Sequence, residues 1–246
     1  MIADSTIRKM QEGRVAQAGL PLPDDFWVVI ASYNEESHIG RVLDGLVPIA
    51  PNIVVVDDGS TDATTAEILK RPVWMLRHAL NLGQGAALQT GLAFALQRGA
   101  GYVATFDADG QHDPGDLPAM FAALTAQNAD FALGSRFLGH AEGIPLLRKL
   151  TLRLAVLFTR VLSGVQLSDV HNGIRVFSRR GAERLHITFN RMEHASEIID
   201  QIAASGLRFI EVPVRITYTN ESLAKGQKTS AAVKLACKIL VEKLLQ

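Results

Sequence analysis

At 246 residues, with 48 % apolar and 20 % charged side chains, the chain carries enough apolar material for the core of one large domain. Its 25 basic residues balance 25 acidic ones, so no net field argues for a nucleic-acid partner; the single cysteine, Cys237, excludes an intramolecular disulfide and a cysteine-built metal centre, and fits a reducing compartment. The opening segment lacks an apolar stretch of signal-peptide length and no apolar run approaches the ~18 residues of a transmembrane helix, so the sequence reads as soluble or at most lying on a membrane.

Residues 1–25, polar and ending in LPLPDD, read as an N-terminal arm. Phe26–Ala31 is a continuous apolar run, the signature of a strand buried on both faces, and Ser32-Tyr33-Asn34-Glu35-Glu36 follows at its carboxyl end. Ile39, Val42, Leu43 and Leu46 give Ser37–Val47 helical spacing. A second strand, Ile53–Val56, ends in Asp57-Asp58-Gly59-Ser60-Thr61-Asp62, where Gly59 permits a tight turn and Ser60 or Thr61 can cap the next helix. A third strand, Val73–Leu76, leads to Asn81-Leu82-Gly83-Gln84-Gly85 and an Ala- and Leu-rich helix up to Arg98. The strand Tyr102–Phe106 runs into DADGQHDP, a helix follows Pro114 to Gln127, and the strand Phe131–Leu133 ends in Gly134-Ser135-Arg136-Phe137. This alternation predicts an α/β fold, a Rossmann-like, doubly wound, mostly parallel sheet. Right-handed crossovers then bring four polar loops, SYNEE, DDGSTD, DADGQHD and GSRF, to one edge.

Ligands of such sheets sit at the carboxyl ends of the strands. Asp107 and Asp109 fall at such an end, two residues apart, and on extended chain they face one side about 6–7 Å from each other. Burying unpaired carboxylates there is costly, whereas a hard cation such as Mg²⁺ takes oxygen ligands together with substrate phosphates. Gln111 adds a neutral oxygen. A solvated turn is the competing reading of D-A-D alone. Asp113 before Pro114 reads better as a helix cap, and His112 and His171 as hydrogen-bonders within loops.

Taken together, VVVDDGSTD, NLGQGAALQTG, DADGQHDP, GSRF, DVHNGIRVF (Asp169–Phe177), Glu197 and Glu211-Val212-Pro213-Val214 resemble the inverting glycosyltransferases of family 2, in particular the dolichyl- and polyprenyl-phosphate mannosyl- and glucosyltransferases. The similarity runs from about Phe26 to Lys228. It implies the glycosyltransferase A fold over residues 26–228, with a nucleotide-sugar half (26–113) and an acceptor half (114–228), followed by a C-terminal amphipathic helix over 229–246. By this resemblance Ser32, Tyr33, Glu35, Asp57, Asp58, Gly83, Ala108 and Glu197 contact substrate, and Asp107, Asp109 and Gln111 hold Mg²⁺ or Mn²⁺ against the donor diphosphate of a UDP- or GDP-linked sugar. Arg136 and Arg175 then meet phosphates of the donor or of the acceptor, and act with Asp107 and Asp109 as the catalytic set. The chain departs from the family at Gln84, where many relatives carry Lys, at Ile174 in place of Phe, and at a loosely echoed Lys225-Gly226-Gln227-Lys228.

Sugar transfer leaves negative charge on the departing diphosphate, which a Lewis acid held by carboxylates stabilises. A phosphate monoester, with a second pKa of about 6, attacks as a dianion, whereas a sugar hydroxyl needs a positioned base. Arg191–Glu197 lacks the acidic pair that supplies such a base in many hydroxyl-transferring relatives, although Glu193 or Glu197 could substitute. The expectation is therefore a polyprenyl phosphate acceptor, with a sugar hydroxyl of a growing glycan as the alternative. A non-catalytic sugar-nucleotide-binding module is a further alternative, and a nucleotidylyltransferase would need a Gly- and Arg/Lys-rich first loop that SYNEE does not supply. Pro145–Gly164, with four basic residues and no acid, suits either a lipid interface or packing on the sheet, and the closing helix could meet lipid, a second copy or a small membrane partner. The expected location is the cytoplasmic face of a membrane.

Overall fold

The computed structural model describes residues 22–142, 167–170, 172–191 and 193–217. Seven strands and six helices occur among them: β1 (Phe26–Ser32), α1 (Ile39–Leu46), β2 (Asn52–Asp57), α2 (Thr64–Ile68), β3 (Trp74–Arg77), α3 (Gln84–Gln97), β4 (Tyr102–Asp107), α4 (Asp116–Ala126), β5 (Phe131–Glu142), β6 (Arg175–Ser178), α5 (Arg179–Ala182), α6 (His194–Ser205) and β7 (Phe209–Thr217). They build one sheet in the order β3-β2-β1-β4-β6-β5-β7. Every neighbouring pair is parallel except those of β6, which runs antiparallel to both β4 and β5.

Alternation along the strands feeds two apolar cores, one on each face. Phe26, Val28 and Ile30 of β1 pack with Ile39, Leu43 and Leu46 of α1 and with Leu117, Met120 and Leu124 of α4. Trp27 and Val29 face the other way, against Leu88 and Leu92 of α3 and Ile198, Ile199 and Ile202 of α6. Full burial of each such side chain contributes about 1.5–3 kcal/mol, which is why these strands read as unbroken apolar runs. Helix α3 lies close on the sheet because Gly91 offers no side chain; a Cβ there would stand 2.3 Å from Val29 Cγ1. The chain thus winds outward through α1 and α2 on one face and returns through α3 on the other. β4 lands beside β1 and opens a switch-point crevice between their carboxyl ends.

Two expected boundaries move. Helix α1 starts at Ile39 rather than Ser37, because the preceding N–H groups are already committed: Asn34 N donates to Ser60 Oγ (3.0 Å) and Glu35 N to Thr64 Oγ1 (2.7 Å). Strand β5 does not stop at Leu133; it continues to Glu142 along β7, with a register shift between Ser135 and His140. Gly134-Ser135-Arg136-Phe137 is therefore strand, not loop. Gly139 permits the continuation, since a Cβ there would fall 2.1 Å from the Val214 carbonyl oxygen. Pro145–Gly164, Thr229–Gln246 and residues 1–21 of the expected arm lie outside the described residues. Among the described residues no helix is long and apolar enough to cross a membrane.

Candidate active site

A cleft of about 510 Å³ occupies the switch point. β1 supplies Ser32 and Tyr33 to its wall, the turn after β2 supplies Asp58, and the turn before α3 supplies Asn81, Gly83 and Gln84. Asp107, Ala108, Asp109, Gln111 and His112 come from the end of β4, Arg136 from β5, and Gly173 from the segment entering β6. β6 enters the sheet from this edge, which is why it runs against its neighbours and presents its beginning, not its end, to the cleft.

Asp107 is held on both oxygens. Gln84 Nε2 donates to Oδ1 (3.2 Å), and His112 Nε2 donates to Oδ2 (3.0 Å). The imidazole is buried, stacks edge-on against Phe106, and leaves its Nδ1 without a partner among the described residues. Asp109 Oδ1 accepts the Gln111 backbone N–H (3.0 Å) and Oδ2 accepts Gln111 Nε2 (2.6 Å). The two carboxyls titrate in opposite directions. Burial works to raise Asp107, but the His112 hydrogen bond and the charges of His112, Arg175 and His194 outweigh it and hold the group below the usual carboxylate range. Burial pushes Asp109 up, and the Asp107 charge pushes it further. A pair that resists its own second negative charge suits a hard cation that completes its shell with water and phosphate. Among the described residues no group of three or more His, Cys, Asp or Glu side chains gathers to form a full protein cage.

On the β2 side, Asp58 is buried and fully used. It accepts His78 Nδ1 (2.7 Å) and the Leu82 N–H (3.0 Å) on Oδ1, and the Gly83 N–H (2.7 Å) on Oδ2. It clasps the turn at residues 82–83, where Gly83 sits at φ +109°. Ser32 Oγ is buried at the cleft wall with no partner among the described residues, Tyr33 is exposed, and Glu35 Oε2 lies 2.9 Å from His38 Nδ1. On the far side, buried Arg136 donates from Nε to Asp169 Oδ2 at 2.6 Å. Glu211 in turn accepts Ser168 N (2.8 Å), Ser168 Oγ (2.7 Å) and Asp169 N (3.2 Å), so three segments fix one guanidinium. Arg175 is buried; burial pulls its pKa down while the charges of Asp107 and Asp169 support it.

Residues 27–185 match the model of glycosyl transferase family 2. The chain belongs to that family. It is 30 % identical over 241 residues to the UDP-N-acetylglucosamine–dolichyl-phosphate N-acetylglucosaminyltransferase of Methanococcus voltae, covering 89 % of this chain and 96 % of the relative. It is 30 % identical over 222 residues to the polyprenol monophosphomannose synthase of Mycolicibacterium smegmatis, covering 85 % and 83 %. Among solved structures it resembles glucosyl-3-phosphoglycerate synthase of Mycobacterium tuberculosis, crystallised with Mn²⁺, UDP and glucosyl-3-phosphoglycerate, with a TM-score of 0.66 at 18 % identity over 96 % of this chain and 82 % of that one. The fold is the glycosyltransferase A type and the protein is a glycosyltransferase.

Within this family 2 framework, the cleft brings together Ser32, Tyr33, Glu35, Asp58, Gly83, Asp107, Ala108, Asp109, Gln111 and Arg136 from the expected set. Three others stand apart from its wall. Asp57 is fully buried beneath the turn, accepting Ser60 N (2.9 Å) and the Thr65 hydroxyl, so it shapes the loop rather than facing the cleft. Glu197 turns to the 188–189 backbone, accepting Thr188 N (2.9 Å), Thr188 Oγ1 (2.5 Å) and Phe189 N (3.0 Å). Arg175 lies behind the cleft wall. Gln111 is in place: its Nε2 donates to Asp109, a bond that leaves the amide oxygen expected to face the cation uncommitted. The sequence reading missed His78, Asn81, Gly173 and Arg191; His112 is the loop hydrogen-bonder expected, with Asp107 as its partner. For His112 a signal existed: a histidine directly following D-x-D-x-Q can turn back onto the first carboxylate. Gly173 and Arg191 are far away in the chain, and only the sheet order brings them near.

Proposed function

We propose that this family 2 glycosyltransferase moves a hexose-type sugar from a nucleoside diphosphate sugar, UDP- or GDP-linked, to a polyprenyl phosphate, with Mg²⁺ or Mn²⁺ bound at Asp107 and Asp109. The observation that carries the reading is the carboxylate pair at the β1/β4 switch point, one member depressed and the other raised. The bound cation would act as a Lewis acid toward the departing diphosphate. Gln84 and His112 orient Asp107, and Gln111 orients Asp109. Ser32, Tyr33 and Asp58 line the end assigned to the nucleoside. Arg136, locked to Asp169, presents its charge to a phosphate on the acceptor side.

The acceptor follows from what lines the cleft. Neither Glu193 nor Glu197 does so, and Asp58 is saturated by N–H donors. Of the other carboxylates on the described wall, Asp107 and Asp109 are given to the cation and Glu35 stands at the nucleoside end beside His38, which favours a phosphate dianion, an acceptor that needs no base. The named acceptors of two relatives, dolichyl phosphate and polyprenol phosphate, support the same choice. A lipid acceptor puts the reaction at a membrane surface, where the basic and apolar stretches Pro145–Gly164 and Thr229–Gln246 would serve. Purified protein given Mn²⁺, radiolabelled UDP- and GDP-sugars, polyprenyl phosphate and a saccharide acceptor should place label in the lipid extract. Label in the saccharide alone would defeat the proposal.

A further inference from the structure

The segment linking α5 to α6 is pinned against the cleft from three directions. Glu197 holds the backbone at Thr188 and Phe189. The Gly85 N–H donates to the Asn190 carbonyl oxygen at 2.8 Å. The Arg191 carbonyl accepts both the His194 N–H (3.1 Å) and His194 Nδ1–H (2.6 Å). The His194 ring is buried, and burial holds its pKa low, so the neutral ring keeps that Nδ1–H bond at neutral pH. The segment lies directly on the turn before α3. A Cβ on Gly83 would stand 2.2 Å from Asn190 O and 3.2 Å from Arg191 Cγ, and one on Gly85 would stand 2.0 Å from Phe189 O.

This fixed backbone sends one exposed side chain, Arg191, over Gly83 and into the cleft. The cleft already holds Glu35, Asp58, Asp107 and Asp109. Against them, Arg136 is paired with Asp169 and assigned to the acceptor side, Arg175 does not reach the wall, and Gln84 is uncharged and engaged with Asp107. No carboxylate of the described residues pairs with Arg191. A diphosphate entering so acidic a site gains from a guanidinium on its wall, which can bind two phosphate oxygens at once.

We propose that Arg191 binds the donor diphosphate, supplying from the α5–α6 segment the positive charge that position 84 lacks, with Glu197 as its positioning residue. The inference rests on the nucleoside diphosphate donor proposed above. Glu197 then bears on substrate through the loop it ties down, not by contact.

The test uses the full chain with Mn²⁺. Calorimetric titration measures UDP and GDP affinity, and saturation-transfer NMR measures contact with uridine and guanosine. Arg191→Ala should weaken the bound diphosphate about tenfold to a hundredfold, the scale of one charge-assisted contact, with nucleoside contact unchanged. Arg191→Lys should fall between, because it keeps the charge and loses the planar fork. Glu197→Ala should weaken the diphosphate in the same selective way, by less. An Arg191→Ala protein with undiminished diphosphate affinity, or one losing nucleoside contact in parallel, would overturn the inference while leaving the donor reading intact. A wild-type protein that binds neither diphosphate would overturn both.

Discussion

Asp107 and Asp109 differ by two positions and are perturbed with opposite sign, and that difference can be measured. Asp109 binds its proton more tightly in the folded chain than in the unfolded one, because its own burial and then the Asp107 charge disfavour ionisation. Its contribution to stability is present below the unfolded value of about 3.9 and is lost as pH rises through the raised folded value. Asp109→Asn should therefore melt higher than wild type at pH 7–8 without divalent cation, each ~1 kcal/mol appearing as roughly 2–4 °C. A flip of the Gln111 amide can preserve both hydrogen bonds of the pair. The variant should no longer be stabilised by Mn²⁺. Asp107→Asn should melt lower, since the folded state favours that ionised group through His112, Arg175 and His194, a contribution present above about 3.9 and lost as pH falls through the depressed folded value. Scanning calorimetry with and without Mn²⁺ reads both signs; the same direction for both variants would refute the assignment. Ser32 gives a second case. Its buried hydroxyl has no partner to lose among the described residues, so Ser32→Ala should melt at or above wild type and bind nucleotide several-fold more weakly, the cost of about one neutral hydrogen bond.

At the level of elements, the site depends on where backbone can come close to backbone. Gly173, which leads into β6, has its carbonyl fixed by Thr105 Oγ1 of β4 at 2.7 Å, and a Cβ on it would fall 1.9 Å from Asp107 Oδ2. Gly173→Ala must expel the carboxylate from its His112 and Gln84 bonds. We expect turnover and Mn²⁺ affinity to fall at least about tenfold, the energy of one charge-assisted hydrogen bond, and the melt to fall in the same direction as that of Asp107→Asn. Strand β7 braces the same loop from below: Thr217 N donates to Gln111 O (3.0 Å), and Arg215 N donates to Asp116 Oδ2 (2.7 Å). Strands β1, β2 and β4 were legible because residues buried on both faces must be apolar. The antiparallel course of β6 was not legible, because Arg175–Ser178 offers the same short apolar pattern whichever way it runs. Nor was the length of β5, whose glycines look like loop and instead make room for β7.

Across the whole molecule, the two cores cover the faces of the sheet and ion pairs tie its later elements to one another. Asp130 joins β5 to β6 and α5, accepting Ser178 Oγ (2.8 Å), Arg180 Nε (2.9 Å) and a terminal guanidinium nitrogen of Arg180 (2.7 Å). The Arg180 hydrogen bond holds its carboxyl below the usual range, with burial opposing and Ser178 assisting. Its stabilisation is present above about pH 3.9 and disappears as pH falls through the folded value. Arg180 is largely exposed, so solvent screening keeps the effect small. Asp130→Asn should cost about 1 kcal/mol in urea titrations at pH 7, with the gap to wild type closing toward pH 3. A constant gap would place the effect in packing instead. The chain by itself determined the alternation of strand and helix, the acidic ends of β2 and β4, and the family, because burial and ligand chemistry both act on residue type in local order. Only the tertiary structure decided that Asp57 and Glu197 serve the backbone, that Asp58 clasps a turn, and that Arg191 enters the cleft. Asp58 and Arg191 meet segments about 20 to 110 positions away, and the nearer partners of Asp57 and Glu197 are set by how their turns fold; residue type in sequence order carries no record of either.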